Sequence, residues 1–490
     1  MQIRQFPDKE IFRRLAKENN IVPVCSEILA DTDTPVSLLK KFHGNGKPVF
    51  LLESVEGGEK WGRYSFLGIS ARCHLKVYRD SVTIQENGDM RRVLHDNDPL
   101  DVLKGYMEQY QTPSMADLPR FWGGLVGYLT YEMVSFFEAI PNRQAANKAL
   151  AHFILPDELI IFDNIRHTLI CLVLGFVEDY PTPDEAFEGA SRRINILLEE
   201  IRQPLPEEKG PITEKGYKLA IHQDAGAYQA NVVTTKEHIR QGDIIQAVIS
   251  QPFTCDSPPD SWSLYRAQRF VNPSPYLYFM EFDDMTLVGS SPETMVRLEN
   301  GVATLRPIAG TRPRGETPRQ DRLLADELLK DEKERAEHLM LVDLGRNDLG
   351  RVAETGSVQV TDLMIIERYS HVMHMVSNIN CDLKKSYTAW DLLKASFPAG
   401  TLTGAPKVRA MEIIADLEPG VRGSYGGAVG YISFSGNLDM AITIRTACIQ
   451  EGELIVRAGA GIVADSDPET EHRETVNKAM AIQKALEMIP

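Results

Sequence analysis

Four glutamates stand out for what their spacing could do. Glu334 and Glu337 lie three residues apart in an amphipathic stretch at 322–342, and Glu471 and Glu474 repeat the interval in another at 468–488. Side chains at i and i+3 share a helix face, so each pair presents its oxygens in one direction. If the two helices converge, a hard oxygen-ligated cation such as Mg²⁺ suits them. If they do not, the pairs are ordinary solvated faces. A second stretch, Phe397-Pro-Ala-Gly-Thr-Leu-Thr-Gly-Ala-Pro-Lys-Val-Arg-Ala-Met-Glu-Ile-Ile414, reads as a glycine-rich loop opening into a helix, a junction suited to holding an anion. Gly400 and Gly404 admit a close approach, and the first-turn N–H groups would act with the hydroxyls of Thr401 and Thr403. The plainer reading is a tight turn with Thr403 as the helix cap. Gly459-Ala460-Gly461 follows a strand, but the next helix starts only near Pro468 and the strand belongs to an antiparallel meander. A glycine-lined backbone able to touch a small anion fits; a dinucleotide fingerprint does not.

The elements that must position these residues are legible in part. Strands are expected at 49–54, across 66–77 and over 157–174 with a turn at Asp163-Asn164, then a helix at 224–241 and an apolar strand at 244–253. Glu299-Asn300-Gly301 between two alternating segments is a hairpin signal, and 426–463 reads as three strands with turns at 435–437 and 451–452. Strands joined by short turns are antiparallel, which points to an α+β fold with helices on one face of a sheet. The run at 203–216, rich in proline, glycine and charge, is the expected linker between an N-terminal region, 1–202, and a catalytic domain, 217–490.

Composition narrows the functional classes. With 490 residues, 43% hydrophobic and 25% charged, the chain is an ordinary globular protein with a large core. A net charge of −16 disfavours nucleic acid and anionic membranes as partners, and an anionic substrate would need locally supplied positive charge. No segment reads as a membrane span or signal peptide, so a cytoplasmic location is expected. Six cysteines lie far apart with no C-x-x-C pair and are expected to be free thiols.

Taken together, Pro307-Ile-Ala-Gly-Thr-Arg312, Glu337-His-Leu-Met-Leu-Val-Asp-Leu-Gly-Arg-Asn-Asp348, the 397–414 stretch and Arg457-Ala-Gly-Ala-Gly-Ile-Val-Ala-Asp-Ser466 resemble the chorismate-utilising enzymes, in that family's order. Within the group the chain looks like the component I branch, the large chorismate-binding subunits of anthranilate synthases. The resemblance covers the whole chain and implies two antiparallel sheets packed as a sandwich, helices outside and the active site between them.

By position it implies Mg²⁺ on Glu337 and Glu474, with Glu334 and Glu471 touching metal-bound water. It places substrate contacts on Gly310, Thr311, Tyr425, Arg445, Gly459, Ala460, Gly461 and Lys478, Thr401 near the ring, His374 at the pyruvate-releasing step and Glu293 as the general acid. Isochorismate and salicylate synthases carry a water-activating lysine where this chain has Gln246, and one type of aminodeoxychorismate synthase carries an attacking lysine where it has Ala309. Ammonia is the implied nucleophile, and conversion of chorismate to anthranilate and pyruvate, the first committed step to L-tryptophan, is the implied reaction. Aminodeoxychorismate synthase component I and a non-catalytic aromatic-acid-binding paralogue are the alternatives.

Two segments resemble the family's tryptophan-binding site, where feedback inhibition is implied: Leu51-Leu-Glu-Ser54, and Asn272-Pro-Ser-Pro-Tyr-Leu277 with Pro275, Tyr276 and Leu277 matching. None of the six cysteines has the Gly-flanked setting of a glutaminase nucleophile. A separate glutamine amidotransferase subunit, two copies of each chain forming a hetero-tetramer, is therefore the implied partner.

Overall fold

The computed structural model describes residues 2–30, 32–54, 62–207, 216–221, 223–283, 285–369 and 372–489. Of the expected linker, 208–215 lie outside the described residues. Two antiparallel sheets form the body, and the α+β expectation holds. The first, of thirteen strands, runs from Gln2–Phe6 through Ile21–Leu29, Thr168–Phe176, Glu158–Asp163, Tyr64–Gly68 and Val49–Glu53 to Tyr276–Glu281, Thr286–Ser291, Thr446–Gln450, Glu453–Ile462 and Gln246–Cys255. The second, of twelve, includes Ile308–Pro313, Val372–Asp382, Thr294–Glu299, Leu438–Ile442, Ala428–Ser433, Gly124–Leu129 and Ala151–Leu155.

Both sheets take strands from both sides of the expected boundary. Val49–Glu53 pairs with Tyr276–Glu281 in one, and Gly124–Leu129 pairs with Ala428–Ser433 in the other. The largest core cluster joins the sheets, as where Phe66 and Phe121 pack on Tyr431, the latter pair stacked at 4.4 Å. Helices Pro183–Arg202, Ser261–Val271 and Pro468–Glu487 cover the first sheet's outer face through Ile194, Leu197, Trp262, Tyr265 and Ile482. Lys407–Leu417 and Ala225–Arg240 cover another part of that sheet, through Ile413, Ile414 and Val232.

Three expectations need correction. The amphipathic stretch at 322–342 is two helices, Pro318–Lys330 and Glu332–Gly350, because the Asp331 side chain caps the second by accepting from the Lys333 and Glu334 N–H groups. The 426–463 meander is not one sheet. Its middle segment breaks into Leu438–Ile442 and Thr446–Gln450, and between them the chain crosses from the second sheet to the first, turning at Arg445 with φ +51°. A left-handed non-glycine residue is uncommon and leaves no trace in hydropathy. Finally, none of the residues 404–410, where the glycine-rich loop opens into its helix, lines the cavity that holds Thr401. Gly404 pairs with Gln246–Ala247 so closely that a Cβ there would meet the Gln246 carbonyl at 2.0 Å, and Lys407 turns to Asp348. Thr403 is no helix cap either; its hydroxyl donates back to the Ala399 carbonyl.

Candidate active site

The crossing at Thr443–Arg445 leaves a cavity of about 620 Å³ between the catalytic halves of the two sheets. Into it come Gln246 and the Gly459–Gly461 strand from one sheet, Gly310, Thr311 and His374 from the other, Arg445 from the crossing, Thr401 from the loop and Glu293 from the end of a strand connection. Helix Glu332–Gly350 delivers Glu334 and Glu337, and helix Pro468–Glu487 delivers Glu471, Glu474 and Lys478. Of the expected site residues only Ala460 is turned away: it is fully buried and packs with Tyr228, Val232 and Ile413 on the far side of its strand. In a strand the neighbours of two inward-facing glycines must point out.

The two acid pairs do share one space. Burial, then the charge of Glu334, raises the Glu337 pKa; burial and the charge of Glu474 raise that of Glu471, while a Ser466 hydrogen bond opposes the rise. Lys478 meets Glu474 at 2.7 Å and donates to the Gly459 carbonyl at 2.9 Å, and Arg312 reaches Glu334 at 3.3 Å. The four carboxylates stand wider than a closed ligand cage: among the described residues the three-ligand grouping within 4.8 Å is His74, His152 and Asp283. Four carboxylates facing one half-buried space are a donor set that fits a hard divalent cation.

Glu293 is 8% exposed, and burial raises its pKa to about 7, against the pull of the Thr401 hydroxyl and the charges of Arg445 and Lys478. The Thr401 Oγ1 is itself buried and makes no well-formed hydrogen bond. Arg445 is fixed through its backbone: its carbonyl accepts from Gln268 Nε2 at 3.1 Å and from the Ser290 N–H at 3.2 Å. Burial lowers the guanidinium pKa and the facing Glu293 offsets this. His374 Nδ1 lies 3.0 Å from Thr311 Oγ1 and 3.3 Å from the Gly310 carbonyl, so a proton on Nδ1 makes Nε2 the basic nitrogen. Burial lowers the His374 pKa, keeping the ring neutral at pH 7. Burial also pushes the Tyr425 phenol up to about 12.

These features meet a family. Residues 48–484 match the chorismate binding enzymes. The anthranilate synthase component 1 of Aquifex aeolicus is 46% identical, over 98% of this chain and 97% of its own. That of Acetivibrio thermocellus is 44% identical over 98% of both. The chain belongs to the anthranilate synthase component I family. The crystal structure of component I from Streptococcus pneumoniae superposes with a TM-score of 0.76 at 36% identity, over 93% of this chain and 98% of that one. The menaquinone-specific isochorismate synthase MenF of Escherichia coli shares the fold, at TM-score 0.70 and 20% identity over 98% of each chain.

Two glycines of this component I chain are needed for close approach. A Cβ at Gly459 would meet the Tyr425 Oη at 2.6 Å, and one at Gly461 would meet Gln246 Nε2 at 2.4 Å. Gln246 Nε2 also reaches Glu337 at 3.4 Å, and its Oε1 is buried without a hydrogen bond. Gly461→Ala should displace this amide and lower kcat/KM for chorismate by about 10²-fold, as misplacement of about 1 Å does. Steady-state kinetics beside a melting curve would check it, the melting temperature moving little.

Sequence reasoning missed the floor of the cavity. Arg457 lines it, and its partner Glu418 is a buried carboxylate accepting from the Ser250 N–H, Ser250 Oγ, Arg422 and Arg457. Arg422 donates onward to the Leu402 and Val248 carbonyls, tying the loop to the strand that carries Gln246. Arg457 stood inside a family motif without a role, and nothing in the pattern around Glu418 marked it as a hub.

A second pocket, of about 50 Å³, is lined by Leu52, Ser54, Pro275, Tyr276 and Leu277 with Arg120 and Asp439. The four expected tryptophan contacts are therefore together. Tyr276 is anchored through Oη, 2.8 Å from Asp439 and 3.0 Å from Thr294 Oγ1, the neighbour of Glu293. All six cysteines are buried and free, and among the described residues no helix is long and apolar enough to cross a membrane.

Proposed function

We propose that the chain converts chorismate and ammonia to anthranilate and pyruvate with Mg²⁺, the observation carrying the reading being the meeting of both acid pairs, Arg445, Glu293 and the glycine strand in one cavity. A dianionic substrate inside a protein of charge −16 needs each carboxylate matched separately. Glu337 and Glu474 would hold Mg²⁺, with Glu334 and Glu471 through water, and the ion would draw off the charge of one carboxylate. Arg445 and the N–H groups of the Gly459–Gly461 strand would hold the other. With the ring so placed, ammonia adds through its lone pair at the neighbouring ring carbon, and the ring hydroxyl leaves as water with the Glu293 proton. His374, basic at Nε2, then serves the transfer of the ring proton to the departing enolpyruvyl group, which leaves as pyruvate as the ring becomes aromatic. Gln246 has no base function, which favours ammonia over water as nucleophile.

A glutamine amidotransferase subunit would supply the ammonia, since the thiols here are buried and inert; burial, for example, pushes Cys171 up to about 12. Purified chain given chorismate, Mg²⁺ and an ammonium salt at alkaline pH should yield anthranilate, identified by mass and fluorescence, and should do nothing with glutamine alone. Aminodeoxychorismate as product, or steady glutamine-dependent turnover, would refute the reading.

L-Tryptophan is the proposed ligand of the second pocket, as a feedback inhibitor. Saturating tryptophan should suppress anthranilate formation, and Ser54→Phe, which fills a pocket of about 50 Å³, should leave the rate within about two-fold and remove most of the inhibition. Unchanged inhibition in that variant would move the site elsewhere.

A further inference from the structure

Outside the active site, three side chains from distant parts of the chain meet where the two sheets adjoin. His74 lies on the strand Cys73–Val77 and His152 on Ala151–Leu155, neighbours in the second sheet. Asp283 lies in the turn that joins Tyr276–Glu281 to Thr286–Ser291 of the first. In the antiparallel register His74 faces Ile154 and Lys76 faces His152, which makes the two histidines diagonal neighbours across the pair of strands. One nitrogen from each ring and one Asp283 oxygen lie within 4.8 Å of one another. His74 Nδ1 is 3.0 Å from His152 Nε2 and 3.9 Å from Asp283 Oδ1, and His152 Nδ1 is 3.8 Å from the same oxygen. Ligand atoms held at about 2.0–2.1 Å by a tetrahedral zinc ion stand about 3.3 Å apart, so these three need only small adjustments to share one.

We propose that His74, His152 and Asp283 bind a divalent transition ion of the zinc class, which clasps the turn of the first sheet to the second sheet. The donors select the ion. Two imidazole nitrogens with one carboxylate oxygen suit Zn²⁺, Ni²⁺ or Co²⁺, and not the oxygen-seeking Mg²⁺ proposed for the glutamates. The surroundings hold the donors in place. The fully buried His152 ring packs on Phe282 at 4.8 Å and Tyr128 at 6.2 Å between centroids, an apolar floor that fixes its orientation. The side chains of His74 and Asp283 are 17% and 52% exposed, which leaves the opposite side open for water as a fourth ligand. Lys76 Nζ holds Asp283 Oδ2 at 2.9 Å, so Oδ1 is the oxygen turned to the rings, and ligating carboxylates commonly receive such outer support. The nitrogen-to-nitrogen contact of the rings has one of them donating its N–H to the other's lone pair. On binding, the donating ring takes its hydrogen up at its other nitrogen, both rings stay neutral, and both lone pairs face the ion. The site stands apart from the proposed reaction, since none of its residues lines the active-site cavity.

The probe is Zn²⁺ itself, titrated into the full-length chain against a chromophoric chelator, with Mg²⁺ in large excess to occupy the glutamates. Wild type should bind one equivalent and melt higher with it, as mass action requires of an ion that binds the folded state. Co²⁺ in its place should give the visible absorption of a four-coordinate nitrogen and oxygen site. His74→Gln, at a half-buried position, and Asp283→Asn, at an exposed one, should both fold. Each should weaken Zn²⁺ binding by at least about 10²-fold and abolish the melting shift. Glu337→Gln should bind Zn²⁺ as wild type does. No Zn²⁺ uptake by wild type, or full affinity in either His74→Gln or Asp283→Asn, would reduce the three side chains to a hydrogen-bonded polar cluster. Loss of the bound equivalent in Glu337→Gln would put the ion on the glutamates, and any of these results overturns the proposal.

Discussion

Glu337→Gln and Glu474→Gln should each cost at least about 10³-fold in turnover while the melting temperature holds or rises. Each substitution keeps shape and removes one charge from the donor set proposed for Mg²⁺, and losing one such electrostatic group from a preorganised site costs on this scale. Stability should not suffer, because in the free protein these carboxylates repel. Glu337 is already pushed toward its protonated form by burial and by Glu334, so neutralising it relieves strain rather than creating it. The check is turnover across a Mg²⁺ titration beside calorimetric melting. Full activity of either variant at low Mg²⁺ would remove the metal assignment, and a collapse in melting temperature would make the residue structural.

Glu293→Gln should be as damaging to turnover, by about 10²–10⁴-fold, yet should stabilise the fold at alkaline pH. The sign follows from the direction of the shift. Burial holds Glu293 near 7 in the folded chain, above the ordinary carboxyl value of the unfolded one, so the folded state binds the proton more tightly. Its carboxyl is neutral and harmless at pH 4, and becomes a buried charge as pH rises through about 7. The cost grows over that window to an upper bound of about 3 kcal/mol. Glutamine cannot ionise, so the variant should melt higher than wild type at pH 8 and match it near pH 4. In wild type the same titration should make the rate fall above neutrality once free ammonia is held constant. An equal pH dependence of melting in the two proteins would show that Glu293 is not the group concerned.

The contrast between what the chain announced and what it hid has a physical basis. Local signals held: Asn300-Gly301 closes its hairpin with both residues at positive φ, and helix Ala225–Arg240 begins where Asp224 caps it. The paired acids were legible because i, i+3 spacing fixes their common face whatever the tertiary fold. Illegible were features that depend on non-local contact. The crossing at Arg445 needs three residues to leave one sheet for another, and its turn is held by Gln268 and Ser290, far away in sequence. Gly404 announced an anion site, but its missing Cβ serves a backbone contact with Gln246. The floor built on Glu418 joins residues 168 positions apart in the Ser250 contact, beyond any periodicity. The residues named from the family motifs line one cavity together, with Ala460 the exception because a motif does not record which way a strand faces.

The two sheets shared between the chain's halves set a problem for synthesis. When the ribosome has released the first two hundred or so residues, Val49–Glu53 and Gly124–Leu129 each have one hydrogen-bonding edge awaiting strands not yet made, Tyr276–Glu281 and Ala428–Ser433. Gly124–Leu129 is buried along its whole length in the finished protein, so the nascent chain must carry an apolar, unpaired edge through the translation of about three hundred further residues. At about 5–20 residues per second that exposure lasts tens of seconds, long enough for edge-to-edge aggregation to compete with folding. Chaperone dependence during expression, and recovery of soluble protein when the halves 1–207 and 216–490 are made together but not separately, are what such interleaving entails.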